Sequence, residues 1–187
     1  RRENFLEVVG GAPELDKSSI LPDKSRYCLL VSDADGVVVE SYLPDADRQD
    51  FERYGLGAGS LWTEAIAGTN GLDMAMRTGR VVTVKGADHY FSCFHNFACS
   101  ATPLRDAQAN LIGALTLVGS ARRREEEIAW CEQVLRIVGT RFQARLFRMF
   151  HQERMTARLI SRRHDQTQRF ETIVASEGDG TVLSIHP

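Results

Sequence analysis

Alternation of apolar and polar positions near residue 30 predicts a β-hairpin. Residues 27–31 and 37–42 are both rich in β-forming side chains. Between them, Asp33-Ala34-Asp35-Gly36 provides turn residues, and Gly36 is free to take a positive φ angle. We therefore expect two antiparallel strands at the start of the clearly patterned part of the chain.

Short helices and further strands follow the hairpin. The segment "PDADRQDFERYG" predicts a helix that ends at Gly55, and "WTEAIAG" predicts a helical turn that ends at Gly68. Thr69 or Asn70 can cap the next helix, "GLDMAMRTG". Strands are predicted for "VVTV", "ACSATPL" and "LIGALTLVGS", and the proline of the second favours a sheet edge or a strand end. This order of elements indicates an α+β fold around an antiparallel sheet that is flanked by helices.

The last third of the chain has a helical pattern. From residue 122 to about residue 170 there is no proline and a single glycine, Gly139. Apolar residues recur at steps of three and four, which is close to a heptad seam. Either this stripe closes the core of its own chain, or it pairs with a second copy. Because the predicted helix is longer than one small sheet can cover, we expect a homodimer interface at Ile128, Leu135, Val138, Phe142, Leu146 and Met149.

These patterns predict four regions. Residues 1–24 form an N-terminal helical or linker segment, residues 25–121 form the sheet domain, and residues 122–172 form a long signalling and dimerisation helix. Residues 173–187 are a linker and a candidate start of a next, PAS-like domain. The chain opens with "RRENFLEVV", which has no signal-peptide pattern, so we expect a fragment of a longer cytoplasmic protein.

Composition narrows the class of function. Hydrophobic residues make up 43% of the chain and charged residues 26%, which is ordinary for a globular domain. A formal net charge of −2 gives no overall nucleic-acid-binding signature, so we expect no direct nucleic-acid contact. No apolar run is long enough to span a bilayer, so no membrane association is expected.

Candidate chemistry is concentrated in the segment "DHYFSCFHNFAC". His89, Cys93, His95 and Cys99 are soft metal ligands, but their spacing fits no standard zinc motif. The interpretations are a packed structural segment, a redox-responsive or ligand-lining segment, or a metal site, and the first is favoured. The loop "GLGAG" is not a dinucleotide fingerprint, and no nucleophile elbow is present. We therefore predict no enzyme activity, no catalytic residue, no resident metal and no cofactor beyond a small-molecule effector.

Several motifs in order resemble the N-terminal GAF sensor domain of bacterial enhancer-binding transcriptional activators, such as regulators of acetoin catabolism and of dihydroxyacetone operons. The signature W-[ST]-E-x-x-x-G-T-N is matched from Trp62 to Asn70, and C-[ST]-A-[AT]-P-[IL]-x-[DN] from Cys99 to Asp106. The resemblance covers roughly residues 27–118. Asp88 and Tyr90 replace the usual Glu and Phe, and the usual glycine of the last turn is Ala109 or Asn110 here. Since asparagine tolerates left-handed φ, the turn is expected to survive.

The resemblance implies a GAF-like antiparallel sheet with a long C-terminal helix and a role as the signal-sensing part of a regulator. The implied mechanism is binding of a small metabolite in a GAF pocket and relay through the helix to ATPase and DNA-binding domains elsewhere in the protein. Ligand contacts are then expected from Trp62, Thr69, Asn70, His89, Phe91, Phe94, His95, Phe97 and Cys99.

Other functions remain open at this point. An empty GAF module could dock a partner metabolic enzyme, which a closed pocket would favour. A switch through the His and Cys residues would require bound metal or redox-active thiols. A methionine-sulfoxide reductase of the GAF type would require a set of reactive cysteines at one pocket, and Cys93 and Cys99 are the nearest pair.

Overall fold

The computed structural model describes residues 12, 20–21, 26–162, 169–178 and 181–186. The chain divides into two compact units. The first comprises Arg1–Leu104 and Leu111–Phe142, and the second comprises Arg105–Asn110 and Gln143–Pro187. Of the N-terminal segment predicted for residues 1–24, nearly all lies outside the described residues.

The first unit is built on a five-stranded sheet. Its strands are β1 (Cys28–Asp33), β2 (Val38–Tyr42), β3 (Val82–Lys85), β4 (Phe97–Arg105) and β5 (Leu111–Ser120). They lie in the order β2-β1-β5-β4-β3. The predicted hairpin is confirmed, with Leu30 opposite Ser41 and Gly36 at φ 79° in the turn. The α+β antiparallel fold expected from the sequence is therefore present.

Short helices cover one face of this sheet. They are α1 (Arg48–Arg53), α2 (Glu64–Ala67) and α3 (Gly71–Thr78), with 3-10 turns at Gly86–Asp88 and Ser92–Phe94. Apolar side chains from the strands and from these helices form one buried cluster, which includes Cys28, Leu30, Phe51, Leu56, Trp62, Leu72, Cys99 and Val118. This is the face on which the sequence predicted a ligand pocket.

Strand β4 continues further than the sequence suggested. Pro103 lies inside it, and β4 ends two residues later at Arg105. The pairing of β3 with β4 stops at Val82 opposite Ala101, so Pro103 stands beyond the last pair with β3. Proline has no backbone N–H, which is tolerated where a strand is no longer paired on one side. The proline therefore marks the end of the pairing with β3 and not the end of β4.

The other sheet face is covered by the long helix α4 (Glu125–Phe150). Gly139 faces β4, because a Cβ atom placed there would lie 3.2 Å from Cγ2 of Thr102. The hydroxyl of Thr83 on β3 donates a hydrogen bond of 2.7 Å to Glu132 on the helix. The predicted long C-terminal helix is thus present and packs on its own chain.

The predicted extent of this helix, residues 122–172, is wrong. The helix ends at Phe150, and a turn follows in which Arg154 N–H donates to the carbonyl of His151. Strands β6 (Met155–Arg162), β7 (Arg169–Ser176) and β8 (Val182–His186) then form a three-stranded antiparallel sheet in the second unit. This segment lacks helix breakers, but its apolar and polar residues alternate, which suits a strand. In β7, Ile173 and Ala175 are accordingly buried on the same face.

The interface predicted on the helix also needs correction. Ile128, Leu135, Val138 and Phe142 are buried within this chain, with Leu135 and Phe142 at 0% exposure. A three-and-four spacing arises equally when a helix covers its own sheet, and here that packing already uses these four side chains. Leu146 is half-buried and Met149 is exposed, and a homodimer contact through them stays a prediction.

Candidate functional site

The Gly68-Thr69-Asn70-Gly71 turn joins α2 to α3 and fixes the centre of the candidate site. Of the two candidate caps predicted, Thr69 and Asn70, Asn70 caps the helix, and its Oδ1 accepts from the N–H of Asp73 at 3.0 Å. Its Nδ2 donates to the carbonyls of Trp62 at 3.2 Å and Gly68 at 2.8 Å. The side chain is 1% exposed, so a single buried amide forms hydrogen bonds to the backbone of Trp62, Gly68 and Asp73.

Two glycines of this turn are required by close packing. Gly68 has φ 63°, and a Cβ atom there would lie 2.6 Å from Cβ of Tyr90. A Cβ atom on Gly71 would lie 2.2 Å from the carbonyl oxygen of Cys99. The turn therefore allows both the 89–95 segment and strand β4 to approach closely.

Trp62 is a structural anchor on the same face. Its indole Nε1 donates to the carbonyl of Gly55 at 3.0 Å and lies 3.1 Å from Oγ of Ser60. The ring is 6% exposed and packs against Phe94, with a centroid distance of 5.1 Å. The polar edge of the indole is thus used by the protein itself.

His89 and Cys99 form a buried pair beside this anchor. His89 is 2% exposed; its Nδ1 lies 3.1 Å from the carbonyl of Gly86 and its Nε2 lies 3.4 Å from Sγ of Cys99. Donation from Nδ1 to the carbonyl leaves Nε2 as the acceptor of the thiol proton. Burial lowers the pKa of His89 and raises the pKa of Cys99 to about 12. Both groups are therefore neutral at pH 7, and Cys99 is not a reactive thiolate.

The interior cavity between these residues is small. Its volume is about 10 Å³, and its lining includes Leu30, Trp62, Asn70, Cys99 and Thr116. Oγ1 of Thr116 is buried there without a hydrogen-bond partner among the described residues. A space of this size holds about one water molecule, whereas small-molecule pockets measure roughly 300–1,000 Å³.

The aromatic residues predicted to line one pocket lie in three environments. Phe94 is half-buried against Trp62, while Phe91 is 41% exposed and contacts the ring of Tyr90. Phe97 instead contacts Phe51 and Tyr54 on α1 and its C-terminal end.

Two polar residues predicted as ligand contacts also lie apart from the cavity. His95 is exposed, with Nε2 3.3 Å from the carbonyl of His89, and Thr69 is half-buried with its carbonyl near Tyr90 N–H. Of the predicted ligand residues, Trp62, Asn70 and Cys99 line the interior cavity.

A larger opening lies elsewhere in the first unit, and we call it the charged groove. Its volume is about 560 Å³. Aromatic rings of Phe51, Tyr54 and Phe97 line one part of it, and the segment before α4 lines another. Its charged lining consists of Arg26, Asp47, Asp50, Arg122, Arg123 and Glu127.

Two ion pairs flank the charged groove. Nε of Arg26 donates to Asp47 at 2.8 Å, and this hydrogen bond lowers the pKa of the Asp47 carboxyl. Arg123 donates to Glu127 at 2.7 Å, which lowers the pKa of that carboxyl as well. The guanidinium of Arg123 also lies over the ring of Tyr27, 3.9 Å from its centroid.

Sequence reasoning missed the charged groove. The run Arg122-Arg123-Arg124-Glu125-Glu126-Glu127 reads as a solvated helix start, since its acids offset its bases. The groove joins residues near positions 26, 50, 97 and 122, and no local pattern connects them. The one local indication of the groove is that the aromatic residue Phe97 lies at the start of a strand, next to the exposed Asn96.

The metal interpretation of the His and Cys residues is not supported. Within the described part of the chain, no group of three or more His, Cys, Asp or Glu side chains is arranged to hold a metal ion. Cys93 is exposed while Cys99 is buried, so the two thiols do not share one pocket, and the described cysteines are free. Cys28 and Cys131 are also free thiols, and both are buried. No helix in the described ranges has the length and apolar character needed to cross a bilayer.

Comparison with known proteins agrees with the fold and the motifs. The chain matches the family of MimR N-terminal domains over residues 9–130. It is 30% identical over 168 residues to the propane 2-monooxygenase operon transcriptional activator MimR of Mycolicibacterium smegmatis, which covers 87% of this chain and 27% of that protein. It is 37% identical over 92 residues to the acetoin catabolism regulatory protein of Cupriavidus necator, covering 49% of this chain and 14% of that protein.

A solved structure has the same fold. In the E. coli DhaR(N)–DhaL complex, one chain superimposes with a TM-score of 0.65 at 21% sequence identity, covering 82% of this chain and 53% of that chain. The two relatives named above are transcriptional regulators and not enzymes, as the sequence predicted. Because the family match covers residues 9–130, which is more than half of the chain and includes the whole five-stranded sheet, this chain belongs to the family of N-terminal domains of MimR-type transcriptional activators.

Proposed function

We propose that this chain is the signal-input domain of a transcriptional activator and that a partner metabolic protein delivers the signal by docking on its surface. The observation that carries this proposal is the closed interior: the cavity beneath Trp62 and Asn70 measures about 10 Å³. A metabolite enclosed by a GAF pocket needs far more room. Of the two mechanisms that the resemblance leaves open, docking fits this interior better.

The outer face of the 89–95 segment supports the same proposal. Tyr90 is 73% exposed and Phe91 is 41% exposed, and their rings meet edge to face at 5.0 Å. We call these two residues the aromatic pair. Their backbone is held in place because His89 is buried and Tyr90 N–H donates to the carbonyl of Thr69 at 3.4 Å. Rigid exposed aromatic rings are typical anchors of protein–protein interfaces.

The structural neighbour gives independent support. That structure is a complex of DhaR(N) with a second protein, DhaL. By analogy, the partner of this chain is a metabolic protein whose abundance or state reports the signal. Relay then proceeds through α4, which begins beside the sheet and runs from Glu125 to Phe150, towards ATPase and DNA-binding domains of the full-length activator.

A reporter assay with the full-length activator tests the docking mechanism. The double variant Tyr90→Ser/Phe91→Ser removes the aromatic pair, and Cys99→Val fills the interior cavity. A matched control, Val182→Ser, changes another exposed apolar residue. We expect the double variant to lose induction, while Cys99→Val and Val182→Ser retain it at equal protein abundance.

The opposite pattern would overturn the proposal. If Cys99→Val abolishes induction and the double variant responds normally, the signal enters the interior as a small molecule. Thermal unfolding of each variant, followed by tryptophan fluorescence, separates loss of signal from loss of folding.

A further inference from the structure

The charged groove has features of a ligand site that the docking mechanism does not use. It shares no lining residue with the interior cavity, and its volume of about 560 Å³ falls within the usual range for small-molecule sites. Phe97 stacks on Phe51 at 5.9 Å and meets Tyr54 edge to face at 5.0 Å, which gives the groove an aromatic wall. Such a wall favours a ligand with a flat apolar body.

The charges of the groove are not equally available. The bidentate contact of Arg26 with Asp47 and the contact of Arg123 with Glu127 neutralise two of its three arginines. Arg122 makes no side-chain hydrogen bond or ion pair with any described residue, and its backbone N–H alone contacts Ser120. A free guanidinium at the rim is suited to a carboxylate, which it can bind with two parallel hydrogen bonds.

Neighbouring polar groups are free as well. Within the described ranges, neither the Tyr54 hydroxyl nor the Asn96 side-chain amide forms a hydrogen bond with the protein, although both line the groove. With Arg122 they supply three unused hydrogen-bond donors. These donors fit the acceptor oxygens of an organic acid.

Asp50 restricts the charge of the ligand. Its carboxylate also lines the groove and forms no ion pair with a described residue. Together with Asp47 and Glu127 it balances the three arginines, so the groove carries no net formal charge. A polyanion such as a phosphate ester would meet this acid without enough positive charge to offset it, whereas a monoanion needs a single free guanidinium.

From these observations we propose that the charged groove binds a small organic monocarboxylate with an aromatic or similarly flat apolar body. The carboxylate contacts Arg122, and the body packs against the ring of Phe97, beside Tyr54. Because Arg122 and Glu127 belong to the segment that starts α4, the ligand acts at the beginning of the helix that the docking mechanism uses for relay. The proposal stands independently of protein docking.

Titration of the 187-residue chain with 2-naphthoate tests this site, with 2-naphthamide as the uncharged isostere and 2-naphthylmethylammonium as the cation. We expect 2-naphthoate to bind at least about tenfold more tightly than either analogue. Arg122→Gln should raise its Kd about tenfold, which corresponds to about 1.4 kcal/mol. Arg80→Gln, which removes an exposed arginine outside the groove, should leave Kd unchanged.

Three results would overturn the proposal: no binding of 2-naphthoate at millimolar concentration, equal binding of the amide or tighter binding of the ammonium, or equal effects of Arg122→Gln and Arg80→Gln. Amide chemical-shift mapping locates the bound probe, and we expect changes at Asn96, Phe97 and Arg122. Shifts centred on Cys99 and Thr116 would place the probe in the interior, which contradicts this proposal and the docking mechanism together. Failure of groove binding with an unchanged interior contradicts this proposal alone.

Discussion

Replacing Asn70 tests whether one buried amide holds the turn between α2 and α3 together. In Asn70→Ala the cap on the N–H of Asp73 is lost, which costs about 1 kcal/mol. The carbonyls of Trp62 and Gly68 also lose their donor in a site that is 1% exposed. An unsatisfied buried acceptor costs about 1–3 kcal/mol, and partial relaxation brings the expected total to roughly 2–4 kcal/mol.

A series at this position separates the cap from the donors. Asn70→Ser keeps a capping oxygen but removes the amide donors, so it should recover about 1 kcal/mol relative to Asn70→Ala. Asn70→Asp keeps the cap and places a carboxylate beside two carbonyl oxygens, so it should gain little over alanine at pH 7 and more at low pH, where it is protonated.

Urea unfolding followed by tryptophan fluorescence is a suitable assay. The sequence has two tryptophans, Trp62 and Trp130, and both lie in the first unit, so the signal reports the free energy of unfolding of that unit. Wild-type protein and the three variants are compared at constant m value. A loss below about 1 kcal/mol in Asn70→Ala, or equal stabilities of the serine and alanine variants, would refute this account of the turn.

Three further measurements test other parts of the structure. Gly71→Ala should destabilise the first unit by about 3 kcal/mol or more, because its Cβ would lie 2.2 Å from a backbone oxygen. The control Gly57→Ala, whose Cβ would have nothing within 4 Å, should change stability by less than about 0.5 kcal/mol in the same urea assay. Ala109→Gly should raise the melting temperature of the second unit and stabilise it by about 1 kcal/mol, since Ala109 holds φ 64°; no change in a calorimetric scan would show that this turn is not strained. Burial lowers the pKa of His89 below its ordinary 6.5, so the folded state binds fewer protons than the unfolded state. The stability should therefore fall as the pH drops from 6.5 to the folded pKa. His89→Gln should flatten this part of the plot of stability against pH, and an unchanged slope would contradict this role of His89.

Local chemistry explains which features could be predicted from the sequence. The hairpin needed only turn residues between two β-rich runs, and Gly36 has the positive φ that was expected. Asn70 caps α3 and Gly79 ends it with φ 69°, as the sequence predicted. Each of these features depends on residues within a few positions of one another, so a single sequence carries enough information to place them.

Features that depend on distant contacts were predicted poorly. The stripe from Ile128 to Phe142 is periodic whether a helix covers its own sheet or a second copy, and periodicity cannot distinguish the two. The end of α4 at Phe150 has no glycine or proline to mark it. The left-handed residue of the β4–β5 turn is Ala109, although Asn110 was expected to take that conformation. Oδ1 of Asp106 accepts hydrogen bonds from the backbone N–H groups of Gln108 and Asn110, and these bonds fix the backbone on either side of Ala109.

The use of polar groups in the core supports the proposal that binding takes place outside it. On the covered sheet face, Asn70 makes three hydrogen bonds, Trp62 donates through its indole, and both ring nitrogens of His89 have protein partners. Of the buried side-chain nitrogen and oxygen atoms of the residues that line the interior cavity, Oγ1 of Thr116 is the one without a partner among the described residues. A site that orients a metabolite needs several free polar groups, and the charged groove has them in Arg122, Tyr54 and Asn96. The motif shared with GAF sensors therefore builds an interior in this chain whose side-chain polar groups mostly bond to one another or to the backbone, which is the arrangement expected if recognition takes place at the surface, as we propose.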